Sequence, residues 1–342
     1  MRRQRNSFKT LLILLIFPLL LLAGCGNRSA STESTNTSEK TNDDSKDLVK
    51  VKQVTNWFAE PEHGGNYAAL MKNFYKDAGI DMTIEPGGPQ ISSTQMVASG
   101  EADFGIVQAD DILLARDQGI PVVAIGAIFQ VNPQAILYHA DQNIKDFSDL
   151  NGRTVYTAPG VGYWEYIKKA YKLDKVKEMT YNGQLTQFIR DKKAATQCYI
   201  TAEPFSLKQQ GVETKYLLIH DSGYQPYANV IFTTEKMIKE NPDLVKRFME
   251  ATIRGWEYYK DYSDEINPFL QKYNPDLTIE AMKFGAEQQK DFIYGHDAAE
   301  KGIGYMSKER WLTLQKQLID LGLIKKKEDI NKAYTIEFLP NK

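Results

Sequence analysis

The chain has 342 residues, with 42 Lys plus Arg against 44 Asp plus Glu, a formal net charge of −2 at pH 7 and 42% hydrophobic residues. Residues 1–24 hold Arg2, Arg3, Arg5 and Lys9 and no acid, so removing four positive charges from −2 leaves −6, which argues against a nucleic-acid surface. Two cysteines exclude a disulfide framework, and four histidines without HExxH or paired-Cys spacing give no metal signal.

The basic N-terminus is followed by an almost uninterrupted apolar run from Leu11 to Leu22, the order of a secretory signal peptide and too short for a spanning helix. Leu22-Ala23-Gly24-Cys25 resembles the bacterial lipobox, which implies that Cys25 carries a diacylglycerol and becomes the mature N-terminus. Two acyl chains at about 0.8 kcal/mol per CH₂ anchor a protein stably to a membrane. Residues 25–47 are polar and lack aromatic or large aliphatic side chains between Ser29 and Asp47, which predicts a solvated tether. The expected location is the extracytoplasmic face of the cell membrane.

The body, residues 48–342, is long enough for two lobes. Val51–Trp57 alternates as a strand, and Gly64–Ala78 carries a helical stripe at Tyr67, Leu70, Met71, Phe74 and Tyr75. Residues 81–85 return to strand, Ser92–Ser99 to helix and 104–107 to strand. A helix capped by Asp110 runs to Asp117, and Val122–Phe129 is an apolar strand. This alternation predicts a parallel α/β sheet. Thr154–Tyr156, 178–181, 198–200 and 216–220 read as further strands, with helices between them. A long helix starts at Asn241-Pro242-Asp243, and a last one spans Trp311–Leu321, stopped by Gly322. Lobe 1 is expected over 48–140 and 231–342 and lobe 2 over 141–230. Crossings near Tyr138–Asp141 and Ala228–Phe232 would make a two-strand hinge over a ligand cleft.

Several stretches, in order along residues 50–330, resemble substrate-binding proteins of ABC importers, in the group related to thiamin-pyrimidine synthases. They are Asn56-Trp57-Phe58-Ala59-Glu60-Pro61-Glu62-His63-Gly64-Gly65, with Ala59 where the family usually has Pro; Gly87-Gly88; Gly100-Glu101-Ala102-Asp103-Phe104-Gly105; Leu150–Val155; and Ala202-Glu203-Pro204-Phe205. The resemblance implies a periplasmic-binding-protein type II fold of two α/β lobes and a non-enzymatic, monomeric importer protein without a cofactor. Its cargo would be an aminopyrimidine thiamin precursor, or else a sulfonate, nitrate or flavin, passed to a membrane permease. The synthases of the family carry a Cys-rich motif, whereas this chain has only Cys198 in that region, where a buried structural thiol is expected.

Asn56, Trp57, Glu60 and His63 fall where a strand ends and a helix begins, the edge at which α/β folds place ligands. A Trp there offers a face to a flat ring, and Asn or Glu matches ring nitrogens and an amino group. The same residues also suit core filling by Trp57 and helix capping by His63. Gly160-Val161-Gly162 precedes a helix and could offer N–H groups to an anion or carbonyl, with Tyr163 beside it; a tight turn is the other reading. Glu203, after the strand holding Tyr199, suits an exocyclic amine and ring N–H, or the helix dipole. Gln108, Asp110 and Asp111 share another strand–helix turn, and Tyr224, Tyr227 and Asn229 lie near the second crossing. None of these loops supplies the Lys or Arg that a sulfonate or nitrate needs. Two other classes remain: an extracytoplasmic enzyme acting through Cys198 and Glu203, and a sensory or adhesion lipoprotein that binds the same solute.

Overall fold

The computed structural model describes residues 48–340, so the expected signal peptide, tether and Cys25 lipid site lie outside the described residues. Ten strands follow in chain order: β1 (Val49–Val54), β2 (Ile80–Glu85), β3 (Phe104–Val107), β4 (Val122–Phe129), β5 (Gln134–His139), β6 (Thr154–Thr157), β7 (Lys177–Thr180), β8 (Ala195–Tyr199), β9 (Thr214–Leu218) and β10 (Ala228–Thr234). They form two five-stranded sheets, ordered β2-β1-β3-β10-β4 and β7-β6-β8-β5-β9. Neither is the wholly parallel sheet that the alternation suggested. β10 runs antiparallel to β3 and β4, and β5 antiparallel to β8 and β9. An antiparallel return strand locks each sheet where the chain enters from the other lobe.

β5 belongs to the second sheet, so the first crossing falls at residues 130–133, ahead of Tyr138–Asp141. β10 belongs to the first sheet from Ala228, so the second crossing precedes the expected Ala228–Phe232. The expected single helix over Gly64–Ala78 is two, Gly64–Met71 and Phe74–Asp77, because Asn73 between them adopts φ 61°.

The C-terminal part of the chain returns to pack on the first sheet. Its long helix, Pro242–Leu270, deforms at Tyr262 and buries Phe248, Met249, Trp256 and Tyr259. Phe248 stacks on Phe104 of β3 with ring centroids 3.8 Å apart. The helix Gly64–Met71 lies so close that a Cβ on Gly255 would strike the Gly65 carbonyl. That contact holds the β1–helix turn firmly in place at the cleft.

The orientation of the strands places the site. β1, β3 and β7 run parallel to a neighbour and end at the cleft, whereas β5 and β10 run antiparallel and begin there. Ligands in α/β folds bind outside the carboxyl ends of parallel strands. Here, residues just after β1, β3 and β7, within β8, and at the start of β5 and β10 surround one cavity.

Candidate functional site

The cavity has a volume of about 270 Å³ and is walled from both lobes. Asn56, Trp57, Glu60, Glu62 and His63 follow β1, Gln108 and Asp111 follow β3, and Asn229 sits in β10. The second lobe adds Gln134, Tyr181, Gln197, Cys198, Tyr199, Ala202 and Glu203.

A hydrogen-bonded chain fixes the β1 edge. His63 Nε2 lies 2.8 Å from Asn56 Oδ1, which can only accept, so the ring donates through Nε2–H. Asn56 Nδ2 donates to Asn229 Oδ1 at 3.2 Å, and Asn229 Nδ2 donates to the Glu62 carbonyl at 2.7 Å. Burial pushes the His63 imidazole down to about 3, so it is a neutral orienting group. His63 occupies the N-cap position of the helix Gly64–Met71 without a side-chain capping bond.

The lobes are joined across the cavity. Gln108 Nε2 donates to Tyr199 Oη at 2.6 Å, and the Thr201 hydroxyl donates to Glu62 Oε1. Beyond the wall, Tyr224 Oη donates to Asp110 Oδ2 at 2.8 Å, and Phe205 stacks on Phe284 at 5.1 Å. These contacts describe a closed cleft.

Among the described residues, four carboxyls line the wall and no Lys or Arg does. Burial raises Glu60 well above the carboxylate range, helped by the negative charges of Glu62 and Glu203. Burial pushes Glu203 up to about 7, against the hydrogen bonds from the Tyr199 N–H at 2.8 Å and Tyr181 Oη at 3.1 Å. Burial, then the charge of Asp110, pushes Asp111 up to about 7. Burial also raises Glu62, opposed by the Thr201 hydroxyl. Trp57 is half-buried and meets Phe58 edge-on at 5.3 Å, which leaves it available to cover a flat solute.

Asn56, Trp57, Glu60, His63, Gln108, Asp111, Tyr199, Glu203 and Asn229 are thus brought together, whereas Asp110, Gly160, Val161, Gly162, Tyr163, Tyr224 and Tyr227 are not among the lining set. Asp110 turns away to Tyr224 and is not the helix cap. Gln108 holds the N-cap position, and its N–H donates to Asp111 Oδ2 at 3.1 Å. The Gly160 N–H donates to Glu165 Oε1 at 3.2 Å and the Val161 N–H to the Ala158 carbonyl at 3.3 Å, so these two amides are engaged within their own segment. Gly162 is tucked under Tyr224, whose hydroxyl a Cβ would strike. Tyr163 is buried one layer out, donating to Gln197 Oε1 at 2.6 Å. Tyr227 is pinned beneath the Arg310 guanidinium at 3.9 Å and accepts the Ser307 N–H.

The sequence reading missed Glu62, Gln134, Tyr181 and Gln197 as lining residues. Tyr181 directly follows β7, the same signal that exposed Asn56 and Gln108, and could have been found by it. Gln134 was hidden by the misplaced crossing. No set of three His, Cys, Asp or Glu side chains positioned to hold a metal ion occurs among the described residues. No helix among them is long and apolar enough to cross a membrane.

A sequence profile described as NMT1/THI5 like matches residues 60–266. The chain belongs to the NMT1/THI5-like family. Among members and relatives, the riboflavin-binding protein RibY of Chloroflexus aurantiacus is 25% identical over 307 residues, covering 86% of this chain and 87% of that one. The formylaminopyrimidine-binding protein of Halalkalibacterium halodurans is 25% identical over 269 residues, covering 76% and 77%. A 4-amino-5-hydroxymethyl-2-methylpyrimidine phosphate synthase of Legionella pneumophila is 24% identical over 302 residues, covering 85% and 93%, so the NMT1/THI5-like relatives include an enzyme. The periplasmic aliphatic sulphonate binding protein SsuA of Escherichia coli superposes with a TM-score of 0.66 at 13% identity, covering 86% of this chain and 94% of its own. That likeness establishes the periplasmic-binding-protein fold of type II, with two α/β lobes, for this NMT1/THI5-like chain.

Proposed function

We propose that the protein is the extracytoplasmic solute-binding component of an ABC importer, and that it captures a small heteroaromatic solute bearing amine donors, an aminopyrimidine above all. One observation carries the reading. Among the described residues, a cavity of about 270 Å³ between the lobes has aromatic walls, four carboxyls and no Lys or Arg. Carboxylates accept hydrogen bonds in pairs, which matches an exocyclic amine beside a ring N–H. A sulfonate or nitrate would find no Lys or Arg to pair with, so the likeness to SsuA is carried over for the fold alone. The cavity is also at the small end of ligand sites, which favours a one-ring pyrimidine over a three-ring flavin.

Capture without turnover is the accompanying reading, although a family relative is named as a synthase. The thiol on the wall, Cys198, is buried and held well above its usual pKa by burial and the charge of Glu203, the reverse of an activated nucleophile. The partners would be a membrane permease and, through Cys25, a lipid anchor, with the protein acting as a monomer.

The test is a thermal-shift panel of aminopyrimidines, thiamin, riboflavin, taurine, alkanesulfonates and nitrate. A ligand at about 100 times its Kd adds roughly 2.7 kcal/mol of stability. A shift by aminopyrimidines supports the reading, and a shift by taurine or nitrate alone overturns it. For the anchor, wild-type protein partitions with membranes and Cys25→Ser is released; equal partitioning of both would remove Cys25 from the account.

A further inference from the structure

Closure brings acids together. Glu60 and Glu62 come from the turn after β1, Asp111 from the helix after β3, and Glu203 from the opposite lobe. Glu62 is the most enclosed at 5% exposure; its Oε1 accepts the Thr201 hydroxyl, and apart from a proton shared with the neighbouring Glu60 carboxyl its Oε2 has no hydrogen-bond partner, although Glu62 forms part of the cavity wall. Gln108 Oε1 is a second buried acceptor on that wall without a partner. Both oxygens of Glu203, by contrast, already accept from Tyr199 and Tyr181.

A buried carboxylate is costly unless it meets an opposite charge or takes a proton. Among the described residues, no positively charged side chain lines the cluster. His63 is neutral and engaged with Asn56; the Tyr181, Tyr199 and Tyr259 hydroxyls and the Cys198 thiol are neutral; and Asp110 behind Asp111 is another acid. In the ligand-free protein, protons held on the raised carboxyls keep the cluster tolerable. A bound cation replaces them.

We infer that the cleft takes its solute as a cation, and that Glu62 is the carboxylate which the solute's charge faces. This rests on the aminopyrimidine reading and goes beyond it by fixing the solute's protonation state and by shifting the main ionic contact from Glu203 to Glu62. For a neutral aminopyrimidine, the ring nitrogen takes up a proton that a cleft carboxyl gives up. The proton count of the complex is unchanged, and no covalent bond to carbon forms or breaks.

The test is the ultraviolet spectrum of 4-amino-5-hydroxymethyl-2-methylpyrimidine bound to the whole protein, at a pH well above the pKa of the free pyrimidinium. The expected result is a pyrimidinium band in the complex while free solute shows the neutral band. In Glu62→Gln, affinity falls roughly 30-fold, as expected for removing a buried charge partner, and the residual complex shows the neutral band. A neutral band in the wild-type complex overturns the inference whether or not the variant folds. Absence of saturable binding overturns instead the aminopyrimidine reading, and the inference falls with it.

Discussion

Gln108 and Tyr199 face each other across the cleft, Gln108 Nε2 donating to Tyr199 Oη at 2.6 Å. The first residue follows a strand of one lobe and the second ends a strand of the other, so the bond exists only when the lobes are shut. Tyr199→Phe removes the acceptor and leaves the Gln108 amide unpaired in the closed form. A hydrogen bond of this kind is worth about 0.5–1.5 kcal/mol net, so ligand affinity should fall by about 2- to 10-fold. Titration calorimetry with an aminopyrimidine reads the loss, and small-angle scattering should show a larger open fraction without ligand. Unchanged values for both would mean that the contact does not contribute to closure.

The pH dependence of the ligand-free protein follows from the carboxyls. Glu203 and Asp111, each pushed up to about 7, hold protons that their ordinary values of 4.5 and 3.8 would release. Their contribution to stability is whole below about pH 4 and is lost as pH rises through about 7. His63 acts in the opposite sense. With its pKa lowered from 6.5 to about 3, its contribution is whole above 6.5 and lost as pH falls towards 3. Above pH 6.5 the carboxyls therefore set the slope, and thermal stability should decline from about pH 6.5 to 8. Glu203→Gln should flatten that slope and raise the midpoint at pH 8 by about 2–4 °C for each kcal/mol recovered. A midpoint that rises with pH in wild type would contradict this assignment.

Gly255 tests the platform under the site. A Cβ there would strike the Gly65 carbonyl and crowd Ala69, both on the helix that begins beside His63. Backbone cannot yield as a flexible side chain can, so Gly255→Ala should cost about 1–3 kcal/mol, read from the denaturant midpoint. Because the β1 turn shifts with the helix, affinity should drop as well. A neutral substitution would show that the two helices slide freely.

Much of the architecture was legible because strand–turn–helix punctuation is local. Asn56, Trp57, Gln108 and Glu203 were found by their position at such turns. Sheet direction was not legible, since an apolar run such as Val122–Phe129 reads the same in parallel or antiparallel pairing, and the crossing was misplaced because the strand Gln134–His139 was not separated from the apolar run before it. Asp110 and Tyr163 sit on the right elements but face a neighbour one layer from the cavity, a choice made by tertiary packing. Glu62 was passed over because a carboxylate between Pro61 and His63 looks like a solvated turn until the second lobe covers it.

The most direct test of the central claim is isothermal titration of the wild-type protein with 4-amino-5-hydroxymethyl-2-methylpyrimidine and, separately, with taurine. The account predicts one-to-one binding of the pyrimidine, weakened about tenfold or more in Trp57→Ala through loss of ring stacking and buried aromatic area, and no heat from taurine. Saturable binding of taurine with none of the pyrimidine would contradict the claim that a cleft lined by acids and free of cations selects an amine-bearing ring.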